Sequence, residues 1–206
     1  MKRLPLIPTI IVALAIAAMI GLGVWQIQRA GEKDALLTLY NANLRQPAMA
    51  FPRGAPVPAD AMFRPSSVMC LEVTGWRTSG GRAADSTTGY RHIAECRTGG
   101  GEGPGALIDM GVARDPKVKP VWGGGQVAGI ITTEPDSTSL IGKLFGRAPA
   151  LAPMLVATTP AQGLQASARP SPENVPNNHI AYAGQWFFFA LAAGVIYFLA
   201  LRRRAR

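Results

Sequence analysis

Leu4–Trp25 reads LPLIPTIIVALAIAAMIGLGVW and Ile180–Leu201 reads IAYAGQWFFFALAAGVIYFLAL, and these two 22-residue stretches decide the architecture. No charged side chain occurs between Arg3 and Arg29, or between Glu173 and Arg202. An α-helix rises ~1.5 Å per residue, so about 20 apolar residues cross a hydrocarbon core of ~30 Å, and each stretch is long enough to span. The first competes with a secretory signal peptide. Lys2 and Arg3 form a basic start, and Ala15-Ile16-Ala17 offers small residues for cleavage. A cleaved apolar core is ~7–15 residues long, whereas this run continues through Met19, Ile20, Leu22, Val24 and Trp25. An uncleaved anchor is the expectation.

The chain has 206 residues, leaving enough for one domain between the spans. Its net charge of +9 invites a nucleic-acid reading, but the charge is unevenly placed. Six of the 21 basic residues, Lys2, Arg3, Arg202, Arg203, Arg204 and Arg206, lie at the tips. The middle holds the other 15 and all 12 acidic residues, a net of only +3. Lys and Arg beside a span are retained in the cytoplasm, so the excess reports orientation and nucleic acid is not an expected partner. Both termini are read as cytoplasmic and the middle as periplasmic. Arg29 and Lys33 argue the other way and are outweighed by the terminal arginines. With no transit peptide ahead of the first span, a bacterial inner membrane is the expected location, with lipid as one partner.

Helix continues beyond the first span, because Gln26 to Leu44 contains no Pro and places Leu36, Leu39, Tyr40 and Leu44 at helical spacing. Gln26, Arg29 and Lys33 form a polar stripe at i, i+3 and i+7. Pro47, Pro52, Pro56 and Pro58 then mark a linker. Ser66–Trp76 and Tyr90–Thr98 read as two strands of a hairpin broken at Gly80-Gly81. Pairing Trp76 with Tyr90 also places Cys70 opposite Cys96. A disulfide between them suits an oxidising compartment; two buried thiols are the alternative. Gly99–Gly105 and Val121–Gly125 read as turns, and Ala106–Val112, Gln126–Thr133 and Pro153–Thr159 as strands. Ser139–Phe145 reads as one or two helical turns, and Pro170, Pro172 and Pro176 as a stiff approach to the second span. The pattern implies a small antiparallel sheet, a partial barrel or a sandwich.

Several chemistries find no support. Gly101, Gly103 and Ala106 match a dinucleotide fingerprint only loosely, with Pro104 inside and a strand following instead of a helix. The chain has only two histidines, His92 in an expected strand and His179 at a membrane edge. It has no nucleophile-elbow motif and no HExxH or CxxC cluster. Glu32 and Asp34 point in different directions on a helix. Cys70, Met69 and Cys96 are better explained by strand packing than by copper.

Pro176-Asn177-Asn178-His179-Ile180-Ala181-Tyr182 is more informative. Asn178 suits a helix N-cap, since its side chain can accept from a free backbone N–H. His179, Tyr182 and Trp186 follow at i, i+3 and i+7. Tyr and Trp favour the bilayer interface, so one reading is an aromatic belt with a solvated histidine. The other is a ligand site, because a neutral imidazole can bind haem iron axially.

Gly21-Leu22-Gly23-Val24-Trp25-Gln26, with Arg29 and Lys33 following, resembles the first-helix signature of the Surfeit locus protein 1 family. Asn177-Asn178-His179, then Tyr182 and Trp186, resembles that family's second-helix signature. Between them, Phe63-Arg64, Val73-Thr74-Gly75-Trp76 and Gly89-Tyr90-Arg91 follow its early strands. Ala106–Val112 stands where the family usually has a strand ending in Gly-Trp-Val-Pro; here Val112 follows Gly111 directly.

The resemblance implies a non-enzymatic assembly factor, or chaperone, for haem–copper cytochrome c oxidase. Its partners would be the catalytic subunit and other assembly factors, and haem a would be bound transiently. Carried over by motif, His179 is the candidate haem iron ligand. Trp25, Gln26, Arg29, Tyr182 and Trp186 would shape the site, and Arg29 or Lys33 would meet propionates. The rival is a membrane-anchored scaffold that holds oxidase subunits without haem; an enzyme would need a convergent polar cluster that the sequence does not display. The expected fold is an α+β membrane protein, two transmembrane helices flanking a mainly antiparallel β domain. Its parts are a cytoplasmic tip (1–3), first span (4–25), helical extension (26–46), Pro-rich linker (47–63), β-rich domain (64–176), second span (180–201) and Arg-rich tail (202–206).

Overall fold

A computed structural model describes residues 5–99, 105–146 and 149–205. The tip at 1–3, residues 100–104 of the glycine turn and Arg206 lie outside the described residues. The chain forms two compact units. One is helical and joins the chain up to Leu37 with Val175 onward; the other is Thr38–Asn174.

Helix α1 runs unbroken over Leu6–Asn43, 38 residues. At ~1.5 Å per residue that is about 57 Å, nearly twice a bilayer core. The expected extension is therefore one helix with the span, ending at Asn43 rather than at residue 46. The later C-terminal helix, His179–Ala205, absorbs most of the Arg-rich tail and starts one residue earlier than expected. Both long helices leave most of their apolar surface uncovered within the chain. Leu6, Ile7, Ile11, Leu14, Phe188, Leu191 and Ile196 are exposed along them. Such a surface is stable only in apolar surroundings, which the bilayer supplies.

The β unit contains seven strands: β1 Met49–Ala50, β2 Pro65–Cys70, β3 Glu72–Arg82, β4 Thr88–Arg97, β5 Gly105–Ala113, β6 Gly125–Thr133 and β7 Pro153–Ala157. They form one sheet in the order β1-β2-β6-β7-β5-β4-β3. The sheet is mixed. β1 runs parallel to β2 and β5 parallel to β7, while the other neighbours are antiparallel. All five β7 residues are buried, as befits a central strand covered on both faces. A short helix α2, Leu140–Leu144, lies between β6 and β7, with Ser139 Oγ accepting from Gly142 N–H at 3.1 Å. The C-terminal helix is therefore α3.

The sheet cannot be flat. Strands β2 and β4 are separated by three others, which at ~4.8 Å per step would put them about 19 Å apart. Yet Cys70 at the end of β2 and Cys96 near the end of β4 form a disulfide with Cα atoms 5.3 Å apart. Leu71 N–H also donates to the Arg97 carbonyl at 2.9 Å. The sheet therefore curls into a partial barrel whose two sides meet at this end. Its interior holds Val68, Ala94, Ile108, Met110, Val127, Ile131 and Leu155.

This closure corrects the expected hairpin. Ser66–Trp76 is two strands, because the chain turns a corner at exposed Leu71 and crosses to the other side of the sheet. The register is also shifted: Trp76 pairs with Ala94 and Tyr90 with Gly80. The reversal lies at Ala83–Thr87, where Thr87 N–H donates to Asp85 Oδ1 at 2.9 Å and Ser86 has φ 69°. Gly80-Gly81 lies inside β3. A Cβ on Gly81 would come within 2.6 Å of Arg91 Nε, so the glycine admits that guanidinium. The cysteines meet across the barrel seam, not within the hairpin. The Pro-rich stretch is likewise no free linker. It contributes β1, and Met49, Phe51, Val57 and Ala61 pack into the core. Asn43 Nδ2 donates to the carbonyls of Ala59 and Met62, at 2.9 and 3.0 Å.

A polar knot is buried in the same sheet. Between Arg91 and Ile93 the β4–β5 register shifts, leaving Met110 and Gly111 as a bulge on β5. Fully buried Asp109 holds it: Oδ1 accepts from Gly111 N–H at 3.1 Å and from Ser167 Oγ at 2.7 Å. Arg91 Nη1 stands 3.6 Å from Oδ2, and His92 is buried on the neighbouring strand. Burial pushes the Asp109 carboxyl up, against the pull of Arg91, Ser167, Gly111 and His92. Burial pushes the His92 imidazole down.

Two outcomes follow from this packing. Replacing Cys70 and Cys96 by Ser should cost about 3–4 kcal/mol, read as urea unfolding followed by Trp fluorescence, since the bridge closes a separation of 26 residues. For Asp109, the neutral form is favoured by the fold, so its contribution to stability is complete below about pH 4 and declines as pH rises through its raised value. His92 has the opposite sign and loses stability as pH falls below about 6.5. The difference between wild type and Asp109→Asn isolates the carboxyl, and the variant should gain relative stability from pH 4 to pH 8. Asp109→Ala should instead lose about 1–3 kcal/mol, because Ser167 and Gly111 lose their acceptor.

Candidate functional site

Within the helical unit, α1 and α3 pack along a seam of small residues. Gly23, Ala30, Ala183 and Ala190 are all buried. A Cβ on Gly23 would stand 2.6 Å from Phe187 Cε1, so only glycine lets that ring lie on the α1 backbone. Close approach of this kind is how helices associate where no hydrophobic drive exists between them. At one end of the seam, Thr9 Oγ1 and Tyr197 Oη are 2.5 Å apart.

At the opposite end the seam becomes polar. His179 is the first residue of α3, and the carbonyl of Asn178 before it accepts from Tyr182 N–H at 3.1 Å. His179 Nδ1 lies 2.8 Å from Gln26 Oε1 on α1. Two turns further along α1, Asp34 Oδ1 accepts from Asn177 Nδ2 at 2.7 Å. Two polar bridges thus tie the segment leading into α3 to the first helix.

The chemistry of the His179 bridge is directional. An amide Oε1 can only accept, so His179 Nδ1 carries the proton. In the neutral imidazole the lone pair is then on Nε2, and Gln26 sets both tautomer and ring orientation. His179 is half-buried, so the ring is held without being enclosed. Among the described residues no group of three His, Cys, Asp or Glu could hold a metal ion.

The remaining expected residues divide. Tyr182 and Trp25 are about half exposed, and Trp186 is half-buried with its ring edge-on to Phe189 at 6.4 Å. They present aromatic surface one and two turns along α3 from His179, and beside Gln26 on α1. Arg29 lies off the seam, exposed, and pairs with Glu32 on its own helix. The α1 stripe that meets α3 and the segment before it is Gly23, Gln26, Ala30 and Asp34, which shares only Gln26 with the polar stripe of Gln26, Arg29 and Lys33. Sequence reasoning missed Asp34; its signal was its place on the same helical face as Gly23 and Ala30, the two small residues that admit the partner helix.

The whole arrangement, from the first span through the sheet into the second, is matched by one family. Family-level comparison aligns residues 13–191 with the SURF1 family, covering both seam-forming segments and the entire β unit. Comparison with individual curated proteins finds no match. A family match over most of the chain is decisive: this protein belongs to the SURF1 family, an assembly-factor family associated with cytochrome c oxidase assembly.

Proposed function

We propose that this chain is a membrane-anchored chaperone that carries haem a to the catalytic subunit of haem–copper cytochrome c oxidase, with His179 as its iron ligand. The observation that carries this reading is the bond between His179 Nδ1 and Gln26 Oε1. It leaves an oriented Nε2 lone pair, and a porphyrin already supplies the four equatorial nitrogens a lone histidine lacks. The exposed rings of Tyr182 and Trp25 and half-buried Trp186 offer apolar aromatic walls suited to a macrocycle at the bilayer surface. Arg29 is available to a propionate, since an exposed ion pair such as Arg29–Glu32 is worth about 0–1 kcal/mol and exchanges readily. Cargo is held by one protein ligand and so can be passed on.

The same reading places the protein in a bacterial inner membrane, with both termini cytoplasmic and the β unit periplasmic. The terminal arginines support this through the retention of positive charge. The Cys70–Cys96 disulfide supports it through the need for an oxidising compartment. A second reading, a scaffold that grips oxidase subunits and other assembly factors without haem, is favoured by α2. Its Leu140, Ile141 and Leu144, with Phe145 beside them, are 70–84% exposed, an apolar cluster suited to a protein partner.

Protein purified from cells making haem A should show a haem band that His179→Ala removes. Gln26→Leu should retain the fold and weaken haem retention about 10–100-fold. In haem-free protein, 15N NMR should find His179 protonated at Nδ1 in wild type and shifted towards the other tautomer in Gln26→Leu. No haem band in wild type would overturn the carrier reading in favour of the scaffold, while a strain lacking the protein yet holding fully assembled oxidase would overturn both. An alkaline phosphatase fusion after Pro56 should be active and one after Arg206 inactive; the reverse pattern inverts the topology.

A further inference from the structure

The arginine-rich end of the helical unit contains a groove of about 420 Å³. Pro5 and Pro8 at the start of the first helix and Tyr197, Ala200, Leu201, Arg203 and Arg204 on α3 line it. Its shape follows from local sequence. Ala200 leaves a gap where a larger side chain would fill it, and the bond between Thr9 and Tyr197 holds the helices together beside that gap. Tyr197, Ala200, Leu201 and Arg204 recur at i, i+3, i+4 and i+7, so one guanidinium shares the groove's own helical face.

Electrostatics makes the groove unusual. The sequence has no Asp or Glu before Glu32 and none after Glu173. Glu32 is 27 residues from Pro5, about 40 Å along a helix. Among the described residues neither Arg203 nor Arg204 pairs with a carboxylate, and both stand beside an apolar cleft. Arg202 is placed differently, with its guanidinium carbon 5.8 Å from the centre of the Phe198 ring. At the end of a membrane span the anion at hand is a lipid phosphate, which a guanidinium fork matches with two parallel hydrogen bonds. The apolar walls offer a place for the acyl chain attached to it.

We propose that this groove is a binding site for one anionic phospholipid, with Arg203 and Arg204 holding the headgroup and Pro5, Pro8, Ala200 and Leu201 bedding a chain. A basic pocket between two transmembrane helices is a geometry suited to such headgroups. The site is at the other end of the seam from His179, and it stands whether or not His179 binds haem. It makes the arginines a lipid-selective clamp on the helix pair in addition to an orientation signal.

Native mass spectrometry of the full-length protein, titrated with phosphatidylglycerol and separately with phosphatidylcholine, tests it. Wild type should retain one phosphatidylglycerol in preference to phosphatidylcholine. Arg203→Gln with Arg204→Gln should lower that retention roughly tenfold, and Arg202→Gln should leave it unchanged. Ala200→Trp should abolish it by filling the groove with every arginine in place; the exposed double Gln variant probes the same site without adding bulk. Equal retention of the two lipids overturns the proposal. So does a loss in Arg202→Gln as large as in the double variant, or full retention in Ala200→Trp, since either result reduces the effect to unspecific tail charge.

Discussion

One residue, Leu71, separates β2 from β3, two strands that the sheet order puts five places apart. In a flat sheet that is about 24 Å, far beyond the reach of a single peptide unit. The covalent chain therefore forces the sheet to close on itself, and the other features of the β unit follow. Closure brings Cys70 to Cys96 and creates an interior for Ile108, Ile131 and Leu155. It requires strong local curvature, and the Met110-Gly111 bulge is one place where β5 bends to provide it. Gly111 has φ +129°, and a Cβ there would stand 2.6 Å from the Gln165 carbonyl oxygen. Glycine is thus required both by conformation and by space. Asp109 is buried because it staples that bulge, which accounts for a carboxylate in a position otherwise reserved for apolar side chains.

The helical unit depends on a different constraint. Between two helices in lipid there is no hydrophobic gain from contact, so they associate where small residues allow close packing. Gly23 and Ala30 on α1, with Ala183 and Ala190 on α3, supply that contact. Once the helices are this close, polar groups at the end of the seam meet, and Gln26 reaches His179. The residues that perform the proposed chemistry are thus positioned by residues with almost no side chain. A site made in this way sits on two rigid elements instead of on loops, which suits a ligand that must be oriented but later released.

The two spans, the continuation of helix past Trp25 and most strands were legible because each is carried by a local pattern: apolar length, 3.6-residue spacing or a β-branched run between glycines. Ala106–Val112 and Gln126–Thr133 match β5 and β6 almost to the residue for this reason. The hairpin register was not legible. Gly80-Gly81 has the composition of a turn, but both lie inside β3, and Gly81 serves the approach of Arg91 from the next strand, a tertiary fact. The disulfide joins the two cysteines that a Trp76–Tyr90 register would place opposite each other, although that register does not form. Its true basis is the corner at Leu71 and the meeting of the barrel's sides. His179 was legible as a candidate through its motif, while Asp34 belongs to the site through a tertiary bond to Asn177 that no local pattern encodes.

Composition and order along the chain, taken alone, determine that this protein has two membrane-spanning helices, a β-rich middle and charge concentrated at its tips. Those properties are sums over neighbouring residues, and apolar length or alternation needs no partner to be read. Only the tertiary structure decided that the sheet is mixed and curled, that Asp109 and His92 are buried together, and that α1 presents Gly23, Gln26, Ala30 and Asp34 to α3. Each of these depends on which distant segment arrives at a given surface. That choice is made by closure of the chain at Leu71 and by close packing at Gly23, constraints that act between residues far apart in the sequence.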